Sequence, residues 1–230
     1  MKARFAVLLI LGIVIIDQVL KIYVKTHFNY GEHKNIAGDW FRLNLVENEG
    51  MAWGWKLGGS FGKLFLTLFR IVAVIWGSFF LAKLIKKSQS RAYIVSACLI
   101  YAGALGNLID STFYGKMFDR GTYFDRLNNY YQSYSGLAEF SNTGYASFLH
   151  GNVVDMLYFP IFRGHFPSWF PFWGGQGFEF FNMVFNIADA SITIGVIILF
   201  LFQKKIFNKL SVAELPAVTP VKSANETNSI

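Results

Sequence analysis

Phe185-Asn186-Ile187-Ala188-Asp189 lies inside the last long apolar segment of this 230-residue chain, residues 178–202, just ahead of Lys204-Lys205. A carboxylate among Ile, Val, Leu and Phe is costly to place in lipid, so it faces a partner or a wet cavity and marks function by default. Asn186 stands three residues earlier and shares the helical face of Asp189. Two polar groups on one face imply a lined site, with a polar contact between helices as the structural alternative.

Composition gives the same solvent. Hydrophobic residues make up 53% of the chain, aromatics 18% and charged residues only 15%, and the apolar residues are gathered into long runs. The net charge of +7 does not point to nucleic acid, because the basic residues cluster at the ends of apolar runs, the distribution that orients a membrane protein. The single cysteine, Cys98, lies inside such a run, so there is no intrachain disulfide framework or cysteine metal cluster.

Four apolar spans are expected, at about residues 5–24, 63–82, 92–110 and 182–203. The first follows Lys2 and Arg4 but is longer than a signal-peptide core and carries Asp17, Gln18 and Lys21, so it reads as a retained helix. Asp17 and Lys21 are four apart, acid before base, and can pair along one face. Lys83, Lys86, Lys87 and Arg91 follow the second span, and Lys204, Lys205 and Lys209 follow the last. Both termini are therefore expected on the cytoplasmic side, with outer loops 25–62 and 111–181. Residues 1–210 form one membrane domain, and 211–230, rich in Pro, Ser, Asn and Thr, reads as a disordered cytoplasmic tail.

Within the first outer loop, Phe41, Leu43 and Leu45 alternate with polar residues, a strand pattern that predicts a small extracytoplasmic sheet between helices one and two. Residues 46–50 read as a turn, and Trp53 and Trp55 suit the headgroup level. Asn48 either makes that turn or aims an amide at a peptide backbone. The second loop is long. Its polar, Tyr-rich part, residues 112–150, shows no sustained period and is a loop or small subdomain; its Pro, Phe and Trp-rich part, through Trp173, reads as interfacial. Gly103 and Gly106 on helix three permit close helix approach.

Depth ties the polar residues together. At about 1.5 Å of rise per residue, Asp17 lies roughly 20 Å above Arg4, Asn107 and Asp110 roughly 24 and 28 Å above Arg91, and Asp189 roughly 22 Å above Lys204. One layer near the outer leaflet receives polar groups from three helices, as a single shared site requires.

The ordered motifs Asp17-Gln18 with Lys21, Asn48 with Gly50, Gly106-Asn107-Leu108-Ile109-Asp110, Gly151 with Val153-Val154-Asp155, and Asn186 with Ala188-Asp189 resemble those of the lipoprotein signal peptidases, or signal peptidase II. The resemblance implies an aspartic endopeptidase of the bacterial inner membrane that removes signal peptides from diacylglyceryl-modified prolipoproteins. It implies Asp155 and Asp189 as the catalytic pair and Asn48, Gly50, Asn107 and Asn186 as substrate-binding, with Asp17, Lys21, Gly106 and Asp110 supporting. Asp110 is a third acid in the same layer and can take the place of Asp155. Substrate and membrane lipid are the expected partners, with no cofactor, no nucleic acid and no obligate protein partner. No metal is expected either, since His27, His33, His150 and His165 lack ligand spacing.

Ser111 departs from the pattern, standing where the family usually has arginine. Arg120 or Arg126, in the Phe-Asp-Arg repeats of the adjoining loop, is expected to supply the missing guanidinium. The rival class is a small transporter or channel whose acids carry protons or cations, but such a path places polar groups through the full membrane depth, and these crowd one layer. A scaffold subunit would explain the aromatics and leave the buried acids without a reason.

Overall fold

The computed structural model describes residues 2–48, 60–87, 89–125 and 130–204. Helix α1 (Ala3–His27) leads through strands β1 (His33–Ala37) and β2 (Phe41–Asn48) to α2 (Ser60–Lys86) and α3 (Arg91–Ile109). A π-helical turn (Asp110–Tyr114) and the single turn α4 (Gly115–Met117) prolong α3, followed by β3 (Tyr123–Asp125), β4 (Tyr130–Gln132), β5 (Val153–Tyr158), β6 (Phe162–His165), β7 (Gly177–Phe180), β8 (Val184–Phe185) and α5 (Ile187–Leu201).

The helices are inside out relative to those of a water-soluble bundle. Leu8, Leu11, Ile15, Ile16 and Val19 of α1 and Phe61, Phe65, Phe69, Val72 and Phe79 of α2 are exposed, whereas Asp17 and Lys21 have no exposure at all. Contiguous apolar surface with charge at its centre is what a hydrocarbon solvent selects. At about 1.5 Å per residue, the 25 residues of α1 exceed the roughly 30 Å of a bilayer core, and α2 and α3 with its continuation are as long. The chain is thus a mainly helical membrane protein with three long apolar helices, a shorter fourth and a small sheet.

That fourth helix is shorter than the expected 182–203. Val184 and Phe185 are extended and pair with Tyr158 and Leu157 of β5, and the Asn186 side chain accepts from the Asp189 N–H, so the helix begins at Ile187. Asparagine three residues before aspartate is an N-cap signal that apolar content alone hides. Helix three, in turn, runs past the expected boundary at residue 110, through the π turn to Met117. Behind it, a Cβ on Gly103 would meet the Ala188 carbonyl oxygen at 2.2 Å, and one on Gly106 would meet an Asp17 carboxylate oxygen at 2.8 Å. Only glycine lets α3 press against α5 and α1 this closely.

The sheet is also larger than expected. It has four antiparallel strands in the order β1-β2-β5-β8, so only half of it comes from the segment between helices one and two. An isolated hairpin is marginal in stability, and β5 and β8 supply the missing strands from the second loop. Residues 46–48, expected as a turn, stay in β2, where Val46 is opposite Asp155 and Asn48 opposite Val153. Beneath the sheet, Val24, Phe28, Leu45, Tyr114, Phe118, Val154 and Met156 form one core cluster. The Met51–Trp55 stretch and the tail from Ser211 lie outside the described residues.

The Tyr-rich segment is docked by a buried charge pair. Lys25 of α1 and Glu47 of β2 form a salt bridge with both side chains wholly buried. Glu47 also accepts from the Tyr134 hydroxyl at 2.9 Å, from the Thr122 N–H at 2.8 Å and from the Asn152 amide at 2.8 Å. The Lys25 ammonium donates to the Arg120 carbonyl at 2.9 Å and lies 5.1 Å from the ring centre of Phe118 and 5.2 Å from those of Tyr134 and Tyr145. Burial alone would raise the Glu47 carboxyl, but Lys25 and these donors outweigh it and hold the group below the usual glutamate range. Its folded pKa is therefore depressed, so its contribution to stability is present above pH 4.5 and is lost as pH falls through the lower folded value. Thermal unfolding in detergent is expected to show Glu47→Gln destabilised by about 3–5 kcal/mol at neutral pH, because Lys25 is left without its counter-ion. The deficit should narrow below pH 4.5, where the wild type loses its own advantage; parallel pH curves for the two proteins would refute this account.

Candidate functional site

Four elements bring the acids together at the outer end of the bundle. On α1, Asp17 and Lys21 are one turn apart and pair at 2.8 Å. The Lys21 ammonium also reaches Asp110 at 2.7 Å and donates to the Asn107 side-chain oxygen at 2.9 Å. Gln18 donates to Asp110 at 2.8 Å and accepts from the Tyr114 hydroxyl at 3.1 Å. Asp17 spends its other oxygen on the Ala188 N–H at 2.9 Å, one of the donors that the first turn of α5 leaves unpaired. Asp17 and Asp110 are thus held by hydrogen-bond donors around one shared ammonium.

Asp155 and Asp189 are differently placed. On β5, Val154 and Met156 face the core, so Asp155 between them points to the opposite side of the sheet. Its carboxylate accepts from the Asn186 amide at 2.7 Å and from the Asn48 amide at 3.3 Å. Asp189, in the first turn of α5, accepts from the Asn107 amide at 2.7 Å. Asn186 donates to the Asn107 oxygen at 3.1 Å, so two amides in contact link the two carboxylates. No lysine touches either acid among the described residues. Burial first, and the neighbouring charge of Asp189 second, push the Asp155 carboxyl up to about 7. Asp155 is 4% exposed and Asp189 is half-buried, so the pair lies at a sheltered but reachable position.

Several expectations need correction or completion. Arg120 does not reach Ser111: its guanidinium is held by Asp119 at 3.0 Å and the Ser135 carbonyl at 2.5 Å, within the Tyr-rich segment. The guanidinium on Ser111 comes instead from Arg70 of α2, whose Nη1 donates to the Ser111 hydroxyl at 2.6 Å. An arginine in the middle of an apolar span was the signal for it. Arg126 and Gly50 lie outside the described residues. Asp110 sits on Lys21, apart from the amides that hold Asp155 and Asp189, although it also accepts weakly from the Val154 N–H at 3.4 Å. Gln18, already part of the motif, donates to Asp110, and Tyr114, which donates to Gln18, is an addition that only contact could reveal.

Residues 9–204 match the family described as Signal peptidase (SPase) II. A lipoprotein signal peptidase of Porphyromonas gingivalis is 44% identical over 201 residues, covering 86% of this chain and 82% of the relative. One of Amoebophilus asiaticus is 34% identical over 194 residues, covering 83% and 74%. Among solved structures, a bacterial membrane enzyme determined in meso at 2.3 Å resolution aligns with a TM-score of 0.53 and 25% identity over 96% of each chain. A second, at 1.9 Å, aligns with a TM-score of 0.53 and 27% identity over 86% of this chain and 92% of that one.

Lys21 is the cation on which the fixed acids depend. Lys21→Met is expected to cost about 3–5 kcal/mol, because Asp17 and Asp110 then lose the ammonium in contact with both. Adding Asp110→Asn should recover part of that loss by removing one stranded anion. Melting temperatures of the single and double variants in detergent decide the point; a double variant no better than Lys21→Met would contradict it.

Proposed function

The chain belongs to the signal peptidase II family, and from that membership we propose that Asp155 and Asp189 are its catalytic pair. The protein is a lipoprotein signal peptidase, a membrane aspartic peptidase that processes prolipoproteins. The observation that carries the site assignment is the different setting of the four acids: the Lys21 ammonium is in contact with Asp17 and Asp110, whereas among the described residues Asp155 and Asp189 are joined through the Asn186 and Asn107 amides. Two buried carboxylates that repel each other share a proton, which gives one base and one acid.

In this reading Asp189, the more open of the two, takes a proton from a water as that water attacks the scissile carbonyl. Asp155, whose proton is held by burial, hydrogen-bonds and then protonates the carbonyl oxygen. Collapse of the tetrahedral diol returns one hydroxyl proton to Asp155 as the C–N bond breaks, and the leaving nitrogen takes the proton that Asp189 captured from water. The titration belongs to the pair rather than to either residue. Asn48, the last residue of β2, and the Asn107–Asn186 pair, which hold the two carboxylates, would bind the scissile strand and its developing oxyanion. Gly50 is assigned beside them by family pattern, and Asp17, Lys21, Gly106 and Asp110 support the site. The substrate is a prolipoprotein carrying diacylglyceryl on its lipobox cysteine. The protein crosses the bacterial inner membrane four times, α5 completing its crossing with the residues around it, with both termini cytoplasmic and the pair near the outer leaflet.

The test is cleavage of a diacylglyceryl-modified prolipoprotein in detergent, with folding checked for each variant. Asp155→Asn and Asp189→Asn are each expected to lower turnover by at least about 10³-fold, by loss of acid–base action and of the shared proton. Asp110→Asn should lose stability and retain measurable cleavage. In the wild type, kcat/KM should fall as pH rises through about 7, where the proton held on Asp155 leaves. Turnover unchanged in either of the first two variants would reject the assignment, and solute uptake into vesicles would then be the measurement that revives a transporter.

A further inference from the structure

Helix α2 exposes most of its apolar side chains, yet three polar side chains of its first half turn inward. Lys63 donates to the Asn152 side-chain oxygen, the Thr67 hydroxyl donates to the Leu149 carbonyl at 3.0 Å, and Arg70 donates to the Ser111 hydroxyl at 2.6 Å. Spacings of four and three put them on one stripe, which runs along the segment that carries Asp110 and enters β5. The Ser111 hydroxyl passes the contact on, donating to the Asn107 carbonyl at 2.9 Å, one turn back on α3. Asn107 is the residue whose amide holds Asp189. The guanidinium of α2 is therefore two hydrogen bonds from the backbone of the residue that positions the proposed base.

Charge gives the second line of support. Among the described residues the site gathers Asp17, Asp110, Asp155 and Asp189, and the cations in electrostatic reach of them are Lys21 and Arg70. Lys21 is committed by contact to Asp17 and Asp110. Facing Arg70 are Asp110 of the π turn, Asp155 of β5 and Asp189 of α5, with Lys21 and Asp17 of α1 behind Asp110. Lys63, two turns earlier on α2, is directed to Asn152, and His150 is turned to Ser147. A guanidinium stays charged across the physiological range and presents its donors as a planar fork.

We propose that Arg70 is a positioning residue for the peptidase reaction: from α2 it fixes Ser111 and supplies the positive charge that keeps Asp155 and Asp189 at one shared proton near neutral pH. The inference rests on the reading of those two aspartates as the catalytic pair. It explains why this chain works with serine at position 111, since the cation reaches the same spot from a neighbouring helix.

The experiment is the pH profile of kcat/KM for cleavage of a diacylglyceryl-modified prolipoprotein by the full chain in detergent. Removing a nearby cation favours the protonated pair, so Arg70→Gln should move both limbs of the profile upward by about one pH unit. Arg70→Lys keeps the charge and should stay at the wild-type position, with a lower maximal rate because one point charge replaces the planar fork. The exchange Arg70→Ser with Ser111→Arg puts the guanidinium back from the opposite side, and should return the profile to the wild-type position even where Arg70→Gln does not fold. A profile unmoved in Arg70→Gln, one moved as far in Arg70→Lys, or a folded exchange variant that stays shifted would each overturn the proposal. Asp155→Asn is run in parallel: if it still cleaves, the catalytic-pair reading falls and takes this one with it, whereas an inactive Asp155→Asn beside an unmoved Arg70→Gln removes only the role of Arg70.

Discussion

A carboxylate buried within a membrane protein cannot rely on water, and the chain answers this constraint with Lys21. Its ammonium, with no exposure, holds Asp17 and Asp110 and also bonds Asn107. One cation thereby fixes α1 against α3 and, through the Asp17 bond to the Ala188 N–H, against the start of α5. The attraction is strong because the surroundings are dry, and for the same reason any partner left alone is costly. The helices' apolar sides have little reason to prefer one another over lipid, so specific packing falls to these polar contacts and to the glycines of α3.

Lys25 stands one turn beyond Lys21 and repeats the device for a different purpose. With Glu47 it binds the Tyr-rich segment to the end of α1 and to β2, under a cover of Phe118, Tyr134 and Tyr145. Glu47 is followed directly by Asn48, which donates to Asp155, and Asn152, bonded to Glu47, lies three residues before Asp155. The segment is therefore built into the frame of the site. A single face of α1 thus carries two networks, one that reaches Asn107 beside the proposed catalytic pair and one that docks the Tyr-rich segment.

The four acids sit in two different settings. Asp17 and Asp110 share the Lys21 ammonium and are held by further donors from Gln18 and the Ala188 N–H. Asp155 has amides and a like charge for neighbours, which leaves its proton to be contested near neutral pH. Helix dipole adds to this contrast, since Asp189 sits in the first turn of α5, where negative charge is favoured. The exposed aromatics of the β6–β7 hairpin, Trp169, Phe172 and Trp173 among them, give the protein a further apolar surface joined by chain to both proposed catalytic residues.

The sequence alone determined the solvent, the long helices and the layer at which the polar groups meet, because each depends on local composition and on a fixed rise per residue. Asp17 with Lys21 was legible from its spacing, and the ordered motifs carried the family. Helix four was overextended because apolar content does not distinguish a strand joining a sheet from the first turn of a helix, and the sheet was undercounted because β5 and β8 are remote from β2 in the chain. Only the tertiary structure could decide which acid takes which partner, that Arg120 is spent on Asp119 and Ser135, and that Arg70 reaches Ser111 across 41 positions. Those are pairings between side chains distant in sequence, settled by which buried charge is nearest to which, and no local pattern encodes that distance.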